Sequence, residues 1–170
     1  GKPELITPPY GEPTVLDYDD YNGRLLSRTS GTIVTSYEYY DDGKLHYLHL
    51  PDNRTITYSY TPSGKPWTIT DTLGNKITYT YDDQNQRTKM EIHDPANELQ
   101  HFVAYTYEDT GDLDRTIQAD GTYEDLNYDP VGNLIARINA AGKTTEQYYD
   151  ALNRLTSMVA PVNYTETATT

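Results

Sequence analysis

The stretch SYEYYDDGKL, at residues 36–45, combines three tyrosines, two aspartates and a glycine, and similar stretches return along the chain. They are TYSYTPSGKP (57–66), TYTYDDQNQR (78–87) and AYTYEDTGDL (104–113). Recurrence at this spacing is typical of a tandem repeat, and a repeat determines the fold class before any single motif is interpreted.

The anchor of the repeat is the last tyrosine of each such stretch, except at 36–45, where Tyr40 follows the anchor. Seven anchors lie 21 residues apart, with one interval of 26, at Tyr18, Tyr39, Tyr60, Tyr81, Tyr107, Tyr128 and Tyr149. The residue four places after each anchor is glycine or asparagine, at Asn22, Gly43, Gly64, Asn85, Gly111, Gly132 and Asn153. These two residue types adopt a positive φ at the lowest cost. We therefore predict a tight turn after every anchor.

A second series of turn residues lies seven places before the anchors. It consists of Gly11, Asn53, Gly74, Gly121 and Gly142, with Asn163 at the corresponding place after the last anchor. The exceptions are Thr32, which has Gly31 beside it, and Gln100, next to the longer interval. Each repeat thus contains two turns separated by segments of strand length.

Side chains between the turns alternate with a period of two. In TITYSY (55–60), isoleucine and tyrosine occupy one face of the segment and threonine and serine the other. This alternation indicates half-buried antiparallel strands. By the same alternation, His46 and His49, which are three residues apart, should point to opposite faces of their strand. We predict an all-β fold in which tandem β-hairpins form a long, twisted antiparallel meander.

The aromatic composition predicts what this meander buries. The chain has 18 tyrosines but one phenylalanine, Phe102, and one tryptophan, Trp67. Tyrosine suits strands in which the ring packs and the hydroxyl group reaches a polar partner. We expect a core made largely of tyrosine, with the anchors and the tyrosines two places before them stacked in ladders across neighbouring hairpins.

Charge and composition exclude several classes of function. The chain has 13 basic and 26 acidic residues, a net charge of −13, which disfavours nucleic acids and anionic membrane surfaces as partners. No apolar run approaches the roughly 18 residues of a membrane span. The chain has no cysteine, so disulfides and thiol chemistry are excluded.

The segments YDDYNGRL (18–25), YDPVGNL (128–134) and YDALNRL (149–155) resemble the YD repeat of bacterial Rhs proteins, which also occurs in insecticidal toxin-complex shells and in teneurins. On this basis residues 1–10 are a lead-in and residues 11–163 hold about seven repeats. A five-residue insertion lies near 90–102, and residues 164–170 begin a partial repeat.

The resemblance implies a function as well as a fold. YD repeats form a β-sheet that spirals into a hollow shell around a toxic C-terminal polypeptide, so this chain would be an arc of such a wall. The expected partners are further YD repeats of the same parent chain, the enclosed toxin, and other copies that pair through open sheet edges. The expected location is extracellular or at the cell surface of a bacterium. The alternative is a carbohydrate-binding or cell-adhesion module, although a single tryptophan argues against glycan binding.

We predict no enzyme and no catalytic, cofactor or metal site. The segment DPVG (129–132) shares letters with a self-cleaving element of Rhs shells, but it coincides with a repeat turn. The segment DYDDYNG (17–23) resembles the start of an EF-hand, but Tyr21 and Arg28 occupy ligand positions, which leaves weak calcium binding as the remaining option. None of the four histidines is paired with suitably spaced carboxylates.

The insertion MEIHDPANELQHF (90–102) is the one place where a repeat differs in length. Hairpins tolerate longer connections, so we expect a lengthened surface loop. The alternative is a contact loop for a neighbouring wall segment or a partner.

Overall fold

Each repeat forms two antiparallel strands in the computed structural model, which describes residues 4–161. The strands are β1 (Glu4–Ile6), β2 (Thr14–Tyr18), β3 (Leu25–Ser30), β4 (Ile33–Tyr39), β5 (Leu45–His49), β6 (Thr55–Tyr60), β7 (Pro66–Asp71), β8 (Lys76–Tyr81), β9 (Arg87–His93), β10 (Leu99–Tyr107), β11 (Leu113–Gln118), β12 (Tyr123–Tyr128), β13 (Leu134–Asn139), β14 (Thr144–Tyr149) and β15 (Leu155–Val159). Helices are absent from residues 4–161. The predicted all-β, antiparallel fold is confirmed.

The chain divides into two compact units. One holds the residues up to Thr80 together with Glu91–Gln100, and the other holds Tyr81–Met90 and the residues from His101 onward. In the first unit, β1 to β8 are hydrogen-bonded neighbours in chain order. In the second unit, β10 to β15 follow one another in the same way. Each unit therefore contains an antiparallel meander.

Hairpins are closed by the same backbone pattern at both ends of the strands. In the turn after Tyr39, the Tyr40 N–H donates to the Lys44 carbonyl and the Gly43 N–H donates to the Tyr40 carbonyl, both at 2.9 Å. Asp71, Gly74 and Asn75 make the equivalent bonds at the opposite end. The fourth residue of this pattern has a positive φ, +91° at Gly43 and +95° at Gly74, which explains why glycine and asparagine recur there.

The first anchor turn departs from the predicted register. The positive φ lies at Gly23 (+68°) and not at Asn22, since the turn contains one more residue and closes from the Asp19 N–H to the Arg24 carbonyl. The Asn22 side chain accepts the Arg24 N–H instead, at 3.0 Å. In the other six anchor turns the residue four places after the anchor has the positive φ. Asn163 and residues 164–170 lie outside the described residues.

A β-bulge recurs beside the anchors. In the β4–β5 hairpin, Glu38 pairs with Tyr47 and Tyr39 pairs with Leu45, so His46 is an extra residue in β5. Five further hairpins carry the same extra residue, at Leu26, Trp67, Asp114, Ile135 and Thr156. A bulge of this kind shifts the side-chain alternation by one place on either side of it.

The bulge makes the predicted orientation of two histidines wrong. The His46 ring lies 3.7 Å from the Tyr47 ring, and the Tyr47 ring lies 5.8 Å from that of His49, measured between centroids. His46 and His49 therefore share a face with Tyr47. Parity counted along the sequence fails here because His46 is the extra residue of the bulge.

The insertion lengthens two strands and does not form the expected loop. Strand β9 has seven residues and β10 has nine, and an ordinary turn joins them, in which the Asn97 N–H donates to the Asp94 carbonyl at 2.9 Å. This turn contacts the preceding one, since Lys76 Nζ donates to Asn97 Oδ1 at 2.6 Å. Pro95 also lies against Gly74, where an added Cβ would come within 3.4 Å of its Cα.

The expected tyrosine core is also wrong for the described residues. Leu126, at 4% exposure, is the one buried hydrophobic side chain among them, and all seven anchors are half-buried. Full burial of a side chain requires a second layer of structure against the sheet. A meander in which strands pack mainly on their sequence neighbours does not supply that layer.

Candidate functional site

The anchor residues lie at one end of the hairpins, and within each unit side chains there link one turn to another. We call the turns at 19–23, 40–43, 61–64, 82–85, 108–111, 129–132 and 150–153 the anchor turns. Grooves separate successive anchor turns: one is lined by Asp82, Gln86 and Glu108, and the next by Glu108, Asp112 and Asp129. Every anchor tyrosine ends the strand that enters its turn.

Four of the seven anchor hydroxyl groups are hydrogen-bonded to the preceding hairpin. Tyr39 donates to the Leu25 carbonyl at 2.8 Å, and Tyr60 donates to the Leu45 carbonyl at 2.9 Å. Tyr107 and Tyr149 make the same bond to the carbonyls of Arg87 and Leu134. In every case the acceptor is the first residue of a strand, β3, β5, β9 or β13. The hydroxyl thus reaches a carbonyl at the same structural position in these four repeats.

Burial of the anchor rings changes their acidity. The pKa of Tyr39, Tyr60, Tyr107 and Tyr128 is raised, and the main cause in each is loss of solvent around the phenol. The neutral hydroxyl, which is the form that can donate to a carbonyl, is therefore favoured in the folded chain.

The aspartate that follows several anchors stabilises its own turn. Asp129 Oδ1 accepts the N–H groups of Val131 and Asn133, and Asp150 Oδ1 accepts those of Leu152 and Arg154, at 2.9–3.0 Å. The pKa of Asp129 is lowered chiefly by the Asn133 side-chain amide, and that of Asp150 by the Arg154 backbone N–H. These carboxylates are held in the ionised form by turn hydrogen bonds.

A further set of residues, which the sequence reasoning missed, reaches forward to the next turn. The Arg24 guanidinium donates to the Tyr40 carbonyl at 3.3 Å and lies 5.7 Å from the centroid of the Tyr39 ring. Gln86 Nε2 donates to the Gly111 carbonyl at 2.9 Å. Asn133 Nδ2 donates to Asn153 Oδ1 at 3.1 Å. The signal was present, because a side chain that can donate a hydrogen bond follows the positive-φ residue in each of these turns.

The remaining candidates lie in ordinary parts of the repeat. The DPVG segment forms an anchor turn in which the Gly132 N–H donates to the Asp129 carbonyl at 3.0 Å. Asp19, from the EF-hand-like segment, accepts the N–H groups of Tyr21 and Asn22. His49 contacts Glu38 at 2.9 Å and Thr55 at 3.0 Å. Within residues 4–161, no three His, Asp or Glu side chains are grouped so as to hold a metal ion.

Hairpins that recur every 21 residues, with one longer interval, and that carry equivalent bonds define a tandem β-hairpin repeat protein. The family model of the teneurin YD-shell matches residues 1–102, and that of the RHS repeat matches residues 128–164. The chain belongs to the teneurin YD-shell family, and the resemblance to YD repeats is confirmed. Its hairpins are accordingly YD-shell repeats.

Solved structures with a similar chain include toxin-complex proteins. "TcdB2-TccC3-Cdc42" shares 18% identity over 90% of this chain with a TM-score of 0.45, and "TcdB2-TccC3-TEV" shares 16% over 89% with a TM-score of 0.44. "TcdB2-TccC3 without hypervariable C-terminal region" shares 18% over 89%, with a TM-score of 0.45. This chain spans 11% of the length of each of those chains. Residues 4–161 include no helix with the length and hydrophobicity of a membrane-spanning segment.

Proposed function

We propose that this chain builds part of the wall of a shell in a larger secreted or surface-exposed bacterial YD-repeat protein, and that the shell encloses a C-terminal toxin polypeptide. The observation that carries the proposal is the bond from an anchor hydroxyl to the preceding hairpin, which recurs at Tyr39, Tyr60, Tyr107 and Tyr149. A contact that recurs between neighbouring repeats lets a sheet extend by addition of further repeats.

The proposed role is structural and not enzymatic. General acid–base catalysis requires a group whose pKa lies near the working pH. Asp129 and Asp150 have lowered pKa values and are engaged by their own turns. The repeated carboxylates therefore serve the geometry of the turns, and the seven anchors and their turn residues act as structural positions of the wall.

The partners of the wall follow from its chemistry. Further YD repeats of the parent chain extend the sheet by strand pairing and by the anchor bonds. The shell is better suited to enclose a polypeptide than a nucleic acid, because the net charge of −13 on this chain would repel a phosphate backbone.

Protease protection in the parent protein tests this function. The full parent chain is treated with a protease, and the survival of the polypeptide C-terminal to the repeats is compared with that of the same polypeptide produced alone. We expect strong protection, and we expect the combined change of Tyr39, Tyr60 and Tyr107 to alanine to remove it. Alanine at Tyr10 and Tyr21, whose side chains are 94% and 99% exposed, should preserve protection. Equal digestion of the enclosed and free polypeptides would overturn the proposal.

A further inference from the structure

Trp67 stands out among the residues at the bulge position. It is the one tryptophan of the chain, it is the extra residue of the β6–β7 hairpin, and it remains 53% exposed. Bulges redirect a side chain away from the regular alternation of a strand. Other hairpins place leucine, histidine, aspartate, isoleucine or threonine at this position. The bulge itself therefore does not require an indole ring.

The groove beside Trp67 has an aromatic floor whose rings are held in place. Tyr40, Tyr60 and Pro62 line it together with Trp67, and its volume is about 550 Å³. The Tyr40 and Tyr60 rings meet edge to face at 6.0 Å with an interplanar angle of 82°. Their hydroxyls donate to the carbonyls of Tyr58 and Leu45, at 3.0 and 2.9 Å. These bonds fix the floor before any ligand arrives, which lowers the entropic cost of binding.

Polar groups stand around this floor. Asp41, Asp42 and Thr61 line the same groove. Lys44 forms an ion pair with Asp42, and its Nζ lies 5.7 Å from the centroid of the Tyr60 ring. The place at which a ligand cation would contact Tyr60 is therefore already occupied by a cation of the protein. An anionic ligand is disfavoured by the net charge of −13.

A neutral ligand with an apolar face and hydroxyl groups at its edge fits these features. We propose that the groove between Tyr40 and Trp67 binds a neutral saccharide, with a pyranose ring stacked on the Trp67 indole and its hydroxyls donating to the Asp41 carboxylate. A small number of polar groups around an apolar surface sets the orientation of a small ligand in this way. The proposal is independent of what the wall encloses, since it concerns an exposed side chain of one hairpin.

The single tryptophan makes binding directly measurable. With excitation at a wavelength that selects tryptophan, the fluorescence of the whole chain reports on Trp67 alone. The probes are the neutral trisaccharides maltotriose, cellotriose and chitotriose, each titrated to millimolar concentration. We expect a saturable change with a shift of the emission to shorter wavelength for at least one of them, because stacking removes water from the indole. The absence of saturation with all three would overturn the proposal.

Substitutions test whether the saccharide binds at this groove and not elsewhere on the chain. By calorimetry with the trisaccharide that binds, we expect Trp67→Ala to weaken affinity about tenfold or more, as loss of an aromatic stacking contact does. Asp41→Asn should weaken it several-fold. Asp83→Asn, at the same position of another anchor turn, and Ile135→Ala, at another bulge, should leave affinity unchanged. Equal affinity in Trp67→Ala and wild type would overturn the proposal, as would saturation by a proline-rich peptide but not by any trisaccharide.

Discussion

At the scale of single residues, the anchor position needs the hydroxyl group as well as the ring of tyrosine. The ring of Tyr60 is half-buried, and its hydroxyl satisfies a backbone carbonyl of the preceding hairpin at 2.9 Å. Phenylalanine would supply the ring but leave that carbonyl without this donor. This requirement explains why tyrosine and not phenylalanine stands at the anchors that make the bond, Tyr39, Tyr60, Tyr107 and Tyr149.

Removal of one anchor hydroxyl should therefore have a measurable cost. We expect Tyr60→Phe to lower the free energy of unfolding by about 1 kcal/mol, the usual net value of a hydrogen bond in a partly exposed site. Urea denaturation measures the change. The same substitution at Tyr21, whose side chain is 99% exposed, should be neutral. Equal stabilities of the two variants would show that the hydroxyl bond contributes nothing.

Alkaline pH should destabilise the fold through the same residues. The folded-state pKa of Tyr39, Tyr60, Tyr107 and Tyr128 is raised above the ordinary value of 10.0, so the folded chain holds these protons more tightly than the unfolded chain. The resulting stabilisation is complete below that ordinary value and is lost as pH rises through the folded-state pKa. Denaturation midpoints measured from pH 8 to 12 should fall above about pH 10. The control is the variant in which all four anchors are phenylalanine. If its denaturation midpoint stays constant above about pH 10, the fall in the wild type is caused by ionisation of the anchor hydroxyls. An equal fall in the variant would contradict this explanation.

At the scale of the element, the hairpin depends on one residue with a positive φ in each turn. Gly64 has a φ of +82° and Asn85 has a φ of +62° at equivalent positions. The left-handed conformation costs most residues roughly 1–2 kcal/mol but costs glycine almost nothing. Because the positive φ selects glycine or asparagine, the positions of these turns can be recognised from the sequence.

A reciprocal pair of substitutions tests the turn. Gly64→Ala should lower the free energy of unfolding by about 1–2 kcal/mol through the strained φ alone. The added Cβ meets only the flexible end of Lys44, at 3.1 Å, so a steric clash adds little. Asn85→Gly should be close to neutral. Thermal denaturation of both variants measures the difference, and a neutral Gly64→Ala would mean that the turn can adopt another geometry.

At the scale of the whole molecule, the strands of residues 4–161 pair with their neighbours in each meander and enclose almost no buried core. Leu126 is the one buried hydrophobic side chain among the described residues. Strand β15 carries Leu155, Met158 and Val159, each at least half exposed. Exposed apolar strands at the edge of a sheet promote pairing with another chain.

We therefore expect this 170-residue chain to associate with other copies of itself. Sedimentation velocity should show the average mass rising with protein concentration. Met158→Lys should reduce the effect, because a lysine on an exposed strand opposes pairing, whereas Tyr21→Lys, in an anchor turn, should not. A strictly monomeric chain at high concentration would contradict the expectation.

The sequence by itself determined the repeat, its strands and most of its turns, because turn chemistry is local: a glycine or asparagine with a positive φ acts within five residues. It also showed the family, through the spacing of Tyr, Asp and Gly. The hydrogen bonds between Tyr39 and Leu25 or between Arg24 and Tyr40 were not visible, since their acceptors are backbone carbonyls, which every residue carries.

Only the tertiary structure decided three further features. The bulge at His46 put its side chain on the face opposite to the predicted one. A residue is extra only in comparison with the partner strand, here β4, so the sequence of β5 alone does not reveal it. The insertion became longer strands, because its residues continue a hydrogen-bonded hairpin up to the turn at Asp94–Asn97. The anchor tyrosines remained half-buried, because burial depends on what covers a sheet, and the alternation of residues along a strand cannot specify the covering layer.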